Sequence, residues 1–351
     1  MNVNEIIGKR LKTARIMRGF SMDDLCSGLD HKLSKQTISN YESAKSVPNS
    51  TQLISIANAL GMKPDYFFRP FSVSISNIEF RVKPDISVKE ENSIKEIIRD
   101  RMERYLEIES VLDILHSYKK MPSQNITTAD DILKFVSYLK KDWKLGIAPI
   151  ASVTNLLEEK GIIVLEVETS DKFEGLSGYA GNDIPVIALN ANISSERKRF
   201  VALHELCHLL LKFDSSLTSK NIEELCDLFA SEMLISGNEL KRLLGVARHD
   251  ISLNELRSIQ STYGISIKQI MKRSNQLCII SDSRYKYFCA DINKNPALKI
   301  QIEKSIFKNE ESHRFESMVY RALASEMISF SKASELLNLS VAEIREQLEL
   351  V

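Results

Sequence analysis

Apolar residues recur at helical spacing from the start of the chain: Ile6, Ile7, Leu11 and Ala14 share one face of a first predicted helix. In FSMDDLCSGL, Ser21 stands where an N-cap belongs, with Asp24 three residues on as a weak echo of a capping box. Ser34 opens SKQTISNYES, and Pro48-Asn49-Ser50 breaks the chain before TQLISIANALG. Gly61 then falls where a helix C-terminus favours a left-handed residue. Four or five short helices in residues 1–70 can bury a small shared core. Helical period is lost over residues 71–86, which predicts a linker with one extended piece, SNIEFRV. From Ser87 to about Leu115 the pattern is one long, charged helix with Ile94, Ile98, Met102, Tyr105 and Leu112 in its apolar stripe. A spacer packed on a neighbour is its expected role.

MPSQNITT makes a break, and a third region opens near Thr128 with two helices, the second being IASVTNLLEEKG. GIIVLEVET and DIPVIALN are rich in Val and Ile and predict strands, with LSGYAG as a turn and short strand between them. RFVALHELCHLLLKF, NIEELCDLFASEML and the pair LNELRSIQSTYGISIKQIMKRS predict further helices. After residue 276 the pattern is legible only in ALASEMISFSKASELLNLSVAEIREQL, a helix, turn and helix. The fold class expected is mainly α with a small sheet (α+β). It divides into an all-α domain over 1–70, a linker and long helix over 71–127, a domain over 128–275 with a short, mostly antiparallel sheet, and a mainly helical C-terminal segment over 276–351.

Composition changes this picture little. The chain has 351 residues, 43% hydrophobic and 27% charged, with 47 basic and 47 acidic side chains, so nucleic-acid affinity has to come from a local patch. No run of about 18 apolar residues predicts a membrane span, and the first residues read as an amphipathic helix instead of a signal peptide. Five scattered cysteines in apolar contexts fit reduced thiols, which predicts a cytoplasmic protein with no membrane partner.

Candidate chemistry enters with HELCH. His204 and His208, at i and i+4, fall one turn apart on one helix face and can converge on a single metal ion. Glu205 can reach a water there as general base. Downstream, Glu223 can complete the ligand set, and Asp227, four residues on, can accept the outer N–H of a ligand histidine. Glu224 points away and is the lesser candidate. Zn²⁺ is the expected ion, with Mn²⁺ as an option. The bland reading of the same residues is a pair of core histidines and a surface helix with spare carboxylates. IPVIALN is read either as an edge strand that pairs with extended substrate or as an ordinary internal strand. Tyr179 and His249 are weak candidates for stabilising an oxyanion.

FEGLSGYAGNDIPVIALNANISSERKRFVALHELCHLLL followed by IEELCDLFASEML resembles the ImmA/IrrE family of metallopeptidases over roughly residues 128–273, the arginine of MKRS included. The resemblance implies a zincin-like peptidase fold, with His204, His208 and Glu223 as zinc ligands, Glu205 as the catalytic acid/base and Asp227 behind a ligand. It also implies that the substrate is a transcriptional repressor or antitoxin-like protein. Cys226 stands where that family has alanine, and EMLIS lacks its closing proline.

SMDDLCSGLDHKLSKQTISNYESAKSVPNSTQLISIANALGMKPDYFF resembles the Xre/Cro helix-turn-helix family. That implies a recognition helix over 34–43 in the major groove of a double-stranded DNA operator, with Lys35, Gln36, Thr37, Ser39 and Asn40 toward bases or phosphates. The turn DHKL is longer than the family's shortest. Ten basic residues against six acidic over 1–70 are enough for phosphate steering. A homodimer is left open. The combined expectation is a transcriptional regulator with a zinc-dependent endopeptidase domain. The alternative is a regulator, or a toxin–antitoxin or prophage component, in which the peptidase fold is a sensor or scaffold without proteolysis.

Overall fold

The computed structural model describes residues 1–349 apart from 31–32, 72–85, 115–117, 122–123, 182–183 and 309. The extended piece expected at SNIEFRV and part of the DHKL turn lie outside the described residues. Backbone contacts divide the chain into two compact units, Met1–Ser117 with Tyr179–Ile184 and His313–Val351, and Tyr118–Gly178 with Pro185–Ser312. Residues 276–351 are thus shared between the units. Among the described residues no helix is long and apolar enough to cross a membrane.

The first unit begins with helices α1 (Val3–Met17), α2 (Met22–Ser27), α3 (Lys35–Glu42) and α4 (Ser50–Leu60), followed by a 3-10 turn over Pro64–Phe68. Each start is set by a side-chain cap. Asn2 with Glu5, Ser21 with Asp24 and Asn49 with Gln52 form reciprocal capping boxes, and Ser34 caps α3 alone. Gly61 ends α4 at φ 60°, ψ 37°, the left-handed conformation expected of it. Ile7, Leu11, Leu25, Ile38, Tyr41, Ile56, Leu60 and Phe67 close one core. α1 crosses α3 so closely that a Cβ on Gly8 would lie 2.4 Å from the Tyr41 carbonyl oxygen.

Helix α5 (Val88–Val111) is fastened to this core by buried charge. Arg10 Nη1 lies 2.7 Å from Glu103, Arg69 Nη2 lies 2.5 Å from Asp100, and Arg104 Nη2 lies 2.9 Å from Asp100. Such a network is maintained because removing one partner strands the rest, at a cost of about 3–5 kcal/mol. The spacer expected here is therefore built into the unit.

The second unit contains β1 (Gln124–Ile126), α6 (Ala129–Asp142), α7 (Val153–Glu159), β2 (Ile163–Val167), β3 (Gly175–Ala180), β4 (Ile184–Asn190) and α8 (Ser195–Leu210). It continues with β5 (Leu211–Phe213), α9 (Ser219–Leu234), α10 (Gly237–Leu244), α11 (Leu253–Tyr263), α12 (Ile267–Gln276), α13 (Asp282–Lys294) and α14 (Pro296–Glu303). The last helices, α15 (Arg314–Ala324), α16 (Phe330–Leu337) and α17 (Val341–Glu349), belong to the first unit. There α16 and the turn after it accept Lys63 Nζ at the Ser334 hydroxyl and the Leu339 carbonyl, 2.8 and 2.6 Å away.

One reading of a strand left open is decided and one expectation is corrected. The three-stranded sheet has the order β2-β4-β3, so IPVIALN is the central strand and β3 is an edge. A central strand is covered on both faces, and β4 is buried from Pro185 to Asn190. Nor is the sheet mostly antiparallel. β2 pairs β4 in parallel, Ile163 opposite Val186 and Val167 opposite Asn190, because the chain places β3 beyond the slot that β4 then fills. β3 is the other neighbour of β4 in the sheet. β5, read in sequence as the tail of a helix, pairs β1 in parallel.

α8 lies at the centre of this unit with 12 of its 16 residues buried, charged ones included. The segment after α14 binds its first turns. Ser305 Oγ, Ile306 N–H and Phe307 N–H donate to Glu196 at 2.5, 3.0 and 3.3 Å. Glu310, 1% exposed, pairs with Arg199, 0% exposed, at 2.6 Å. α8 is therefore held at its N-terminal end by buried charges that pair with this segment.

Candidate metal centre and nucleic-acid interface

α8 and α9 are neighbouring helices joined through the short strand β5, and their facing sides carry the titratable residues. Both histidine rings turn Nε2 to one carboxylate: His204 Nε2 lies 3.2 Å from Glu223 Oε2, and His208 Nε2 lies 3.4 Å from Glu223 Oε1. Ligands bonded at about 2.0–2.1 Å around a tetrahedral ion stand about 3.3 Å apart, so these separations fit two imidazoles and a carboxylate sharing one zinc-like ion. It is Glu223, not Glu224, that reaches the rings.

Outer contacts fix each ring. Asp227 Oδ1 lies 3.0 Å from His204 Nδ1, and Lys272 Nζ, 2.8 Å from Asp227 Oδ2, holds that carboxylate. Cys226 Sγ lies 3.7 Å from His208 Nδ1. Donor atoms of His204, His208 and Cys226 all fall within 4.8 Å of one another, which defines a second conceivable triad. The thiol, however, stands at the Nδ1 side of His208, and Nε2 faces Glu223, so the two histidines and Glu223 form the set whose donors meet at one point.

Burial by itself lowers a histidine pKa, but here the carboxylates win. Hydrogen bonds to Asp227 and Glu223 push His204 up to about 10. The Cys226 and Glu223 contacts push His208 up to about 9. The same two rings hold Glu223 far below the usual carboxylate range. The two rings and the carboxylate thus favour each other's charged forms.

Glu205 is 4% exposed and follows His204 directly. Its Oε2 accepts a hydrogen bond of 2.9 Å from Ser177 Oγ, on the edge strand β3. No spacing in the sequence links residues 28 apart on different elements, and Ser177 is accordingly the site residue that sequence reasoning misses. Arg273, the arginine of MKRS, is at 2.6 Å from Glu232 between α12 and α9 and does not join the cluster; its neighbour Lys272 does. His249 is exposed and lines a cavity of about 550 Å³ with Arg248, Asn275 and Cys278, apart from the histidine pair. Tyr179, half-buried on β3, has no role that the structure assigns.

On α3, Ile38 and Tyr41 enter the core, and Lys35 and Gln36 are exposed. Thr37, Ser39 and Asn40 are partly covered. Gln36 Nε2 donates to Asn40 Oδ1 at 3.1 Å, and the Thr37 hydroxyl lies 2.8 Å from that of Ser34. Lys35 Nζ is 2.7 Å from Asp23 on α2, yet both side chains are more than 60% exposed, and so open a pair is screened by solvent and weak. A phosphate can take that lysine. Glu42 is clamped by Arg15 at 2.5 and 2.9 Å, and Tyr41 donates to Gln52 at 3.0 Å, which fixes the tilt of α3 against α1 and α4.

Comparison with known families agrees with both halves. Residues 157–275 match the IrrE N-terminal-like domain, a peptidase family, and residues 8–69 match a helix-turn-helix domain of the Xre-like kind. No curated protein matches the chain.

Proposed function

We propose that this chain, which joins a helix-turn-helix domain to an IrrE-like peptidase domain, is a DNA-binding regulator that cuts a repressor or antitoxin-like protein in the cytoplasm. The observation that carries the reading is the convergence of His204 Nε2 and His208 Nε2 on Glu223, at 3.2 and 3.4 Å, with the buried Glu205 one residue from the first ring. Three protein ligands of nitrogen and oxygen type suit catalytic zinc; manganese prefers a richer oxygen shell. When bound, zinc supplies Lewis acidity, polarising the scissile carbonyl and acidifying water. Glu205 takes the proton from the attacking water and delivers it to the departing amine nitrogen. Ser177 steadies one oxygen of that carboxylate for the transfer. Asp227 keeps the His204 proton on Nδ1, so that Nε2 presents a lone pair.

At the other end, the exposed Lys35 and Gln36 of α3, with Thr37, Ser39 and Asn40 behind them, read or position an operator duplex. Having both functions in one chain brings the protease to promoter DNA, where a repressor is found. Elemental analysis tests the reading. The purified chain should carry about one zinc, Glu223→Ala should carry none while staying folded, and a zinc-free wild type would end it.

A further inference from the structure

Asp227 stands behind His204 at Nδ1, and the sulfur of Cys226 stands at Nδ1 of His208. We infer that Cys226 is a positioning residue for His208, its Sγ accepting the Nδ1–H so that Nε2 is turned to the metal position. The inference rests on the metal reading above and goes beyond it by giving the second ring its own support.

Two observations carry it. Sγ lies 3.7 Å from Nδ1, a hydrogen-bond distance for sulfur, and on the ring face opposite to Glu223. Cys226 is 0% exposed, and its helix is fixed against α8, so the sulfur cannot swing toward the Nε2 side without repacking. α9 thus supplies one ligand and both supports within five residues: Glu223 to both rings, Cys226 behind His208, Asp227 behind His204. Sulfur is a weaker acceptor than a carboxylate, so the two rings are held unequally.

The test is zinc affinity of the full-length chain, measured by competition with a chromophoric chelator. Cys226→Ala should bind zinc roughly tenfold more weakly, the low end of the range for losing such a support. Cys226→Ser, which keeps an acceptor, should recover part of the loss and covers the case in which alanine misfolds. Cys207→Ala empties a similar volume without touching the ring and should bind as wild type does. Cobalt-loaded wild type should show no thiolate-to-cobalt charge-transfer absorption. Wild-type affinity in Cys226→Ala, or an equal loss in Cys207→Ala, overturns the assignment alone. A charge-transfer band that vanishes in Cys226→Ala also overturns it, by making the thiol a direct ligand. A wild-type chain that holds no zinc at all overturns the metal reading with it.

Discussion

His204 and Asp227 are joined through the ring nitrogen that looks away from the metal position: Nδ1 to Oδ1 is 3.0 Å, while Nε2 stands 3.2 Å from Glu223. One ring is thereby given a fixed tautomer and a fixed direction. Asp227→Ala should leave all three ligands and still weaken zinc binding by about 10- to 100-fold. Chelator competition measures this. Unchanged affinity would mean that Asp227 serves only its ion pair with Lys272.

The close approach of α1 and α3 makes Gly8→Ala informative. Alanine is the better helix former by about 1 kcal/mol. Its methyl, however, would meet the Tyr41 carbonyl oxygen at 2.4 Å, and a backbone atom cannot step aside. The clash should win, with a net loss of roughly 1–3 kcal/mol. Thermal denaturation should show the helix-turn-helix transition several degrees lower. A higher midpoint would contradict the contact.

Glu196 gives α8 an acid-sensitive clasp. Burial raises its pKa, but the Ser305 hydroxyl, the Ile306 N–H and the Gln260 amide outweigh burial and hold it below 4.5. A depressed carboxyl adds stability above its unfolded value, and that contribution is lost as pH falls through the folded one. The protection of the Ile306 and Phe307 amides against exchange, relative to their intrinsic rates, should therefore fall as pH drops below the usual carboxylate range. Glu196→Gln should show the faster exchange already at neutral pH and lose roughly 1–3 kcal/mol of stability. Identical exchange in the variant would refute the clasp.

Lys35→Ala with Gln36→Ala should weaken binding to the duplex upstream of the chain's own coding sequence by roughly tenfold or more. The salt dependence should become shallower by about one unit for the lost lysine. Zinc content should not change. A mobility shift equal to that of wild type would remove α3 from the interface.

What sequence makes legible here is local. Ser21, Ser34 and Gly61 mark helix ends because capping is settled within four residues. His204 with His208, and Glu223 with Asp227, are legible because one helical turn brings each pair to one face. What depends on partners far along the chain is not legible. IPVIALN has the same Val and Ile content whether it is an edge or a centre, and only the order β2-β4-β3 decides. Ser177 meets Glu205 through tertiary packing, and Arg199 meets Glu310 across 111 residues. The long charged helix α5 reads as a spacer packed on a neighbour, but its buried charges are not legible, because Asp100 and Glu103 find Arg10 and Arg69 only after folding. Residues 282–303 show no pattern strong enough to announce α13 and α14, which bury only Phe288, Ile292 and Ile302.

The most direct measurement is of proteolysis itself. The chain and its Glu205→Gln form would each be co-expressed with the products of neighbouring genes, and new protein N-termini mapped across the whole extract. Glu205→Gln keeps the ligands and removes the proton carrier. The account predicts a cut that appears with wild type and disappears with Glu205→Gln while both proteins hold equal zinc. The same cut made by both proteins would contradict it, as would no cut from a zinc-loaded wild type.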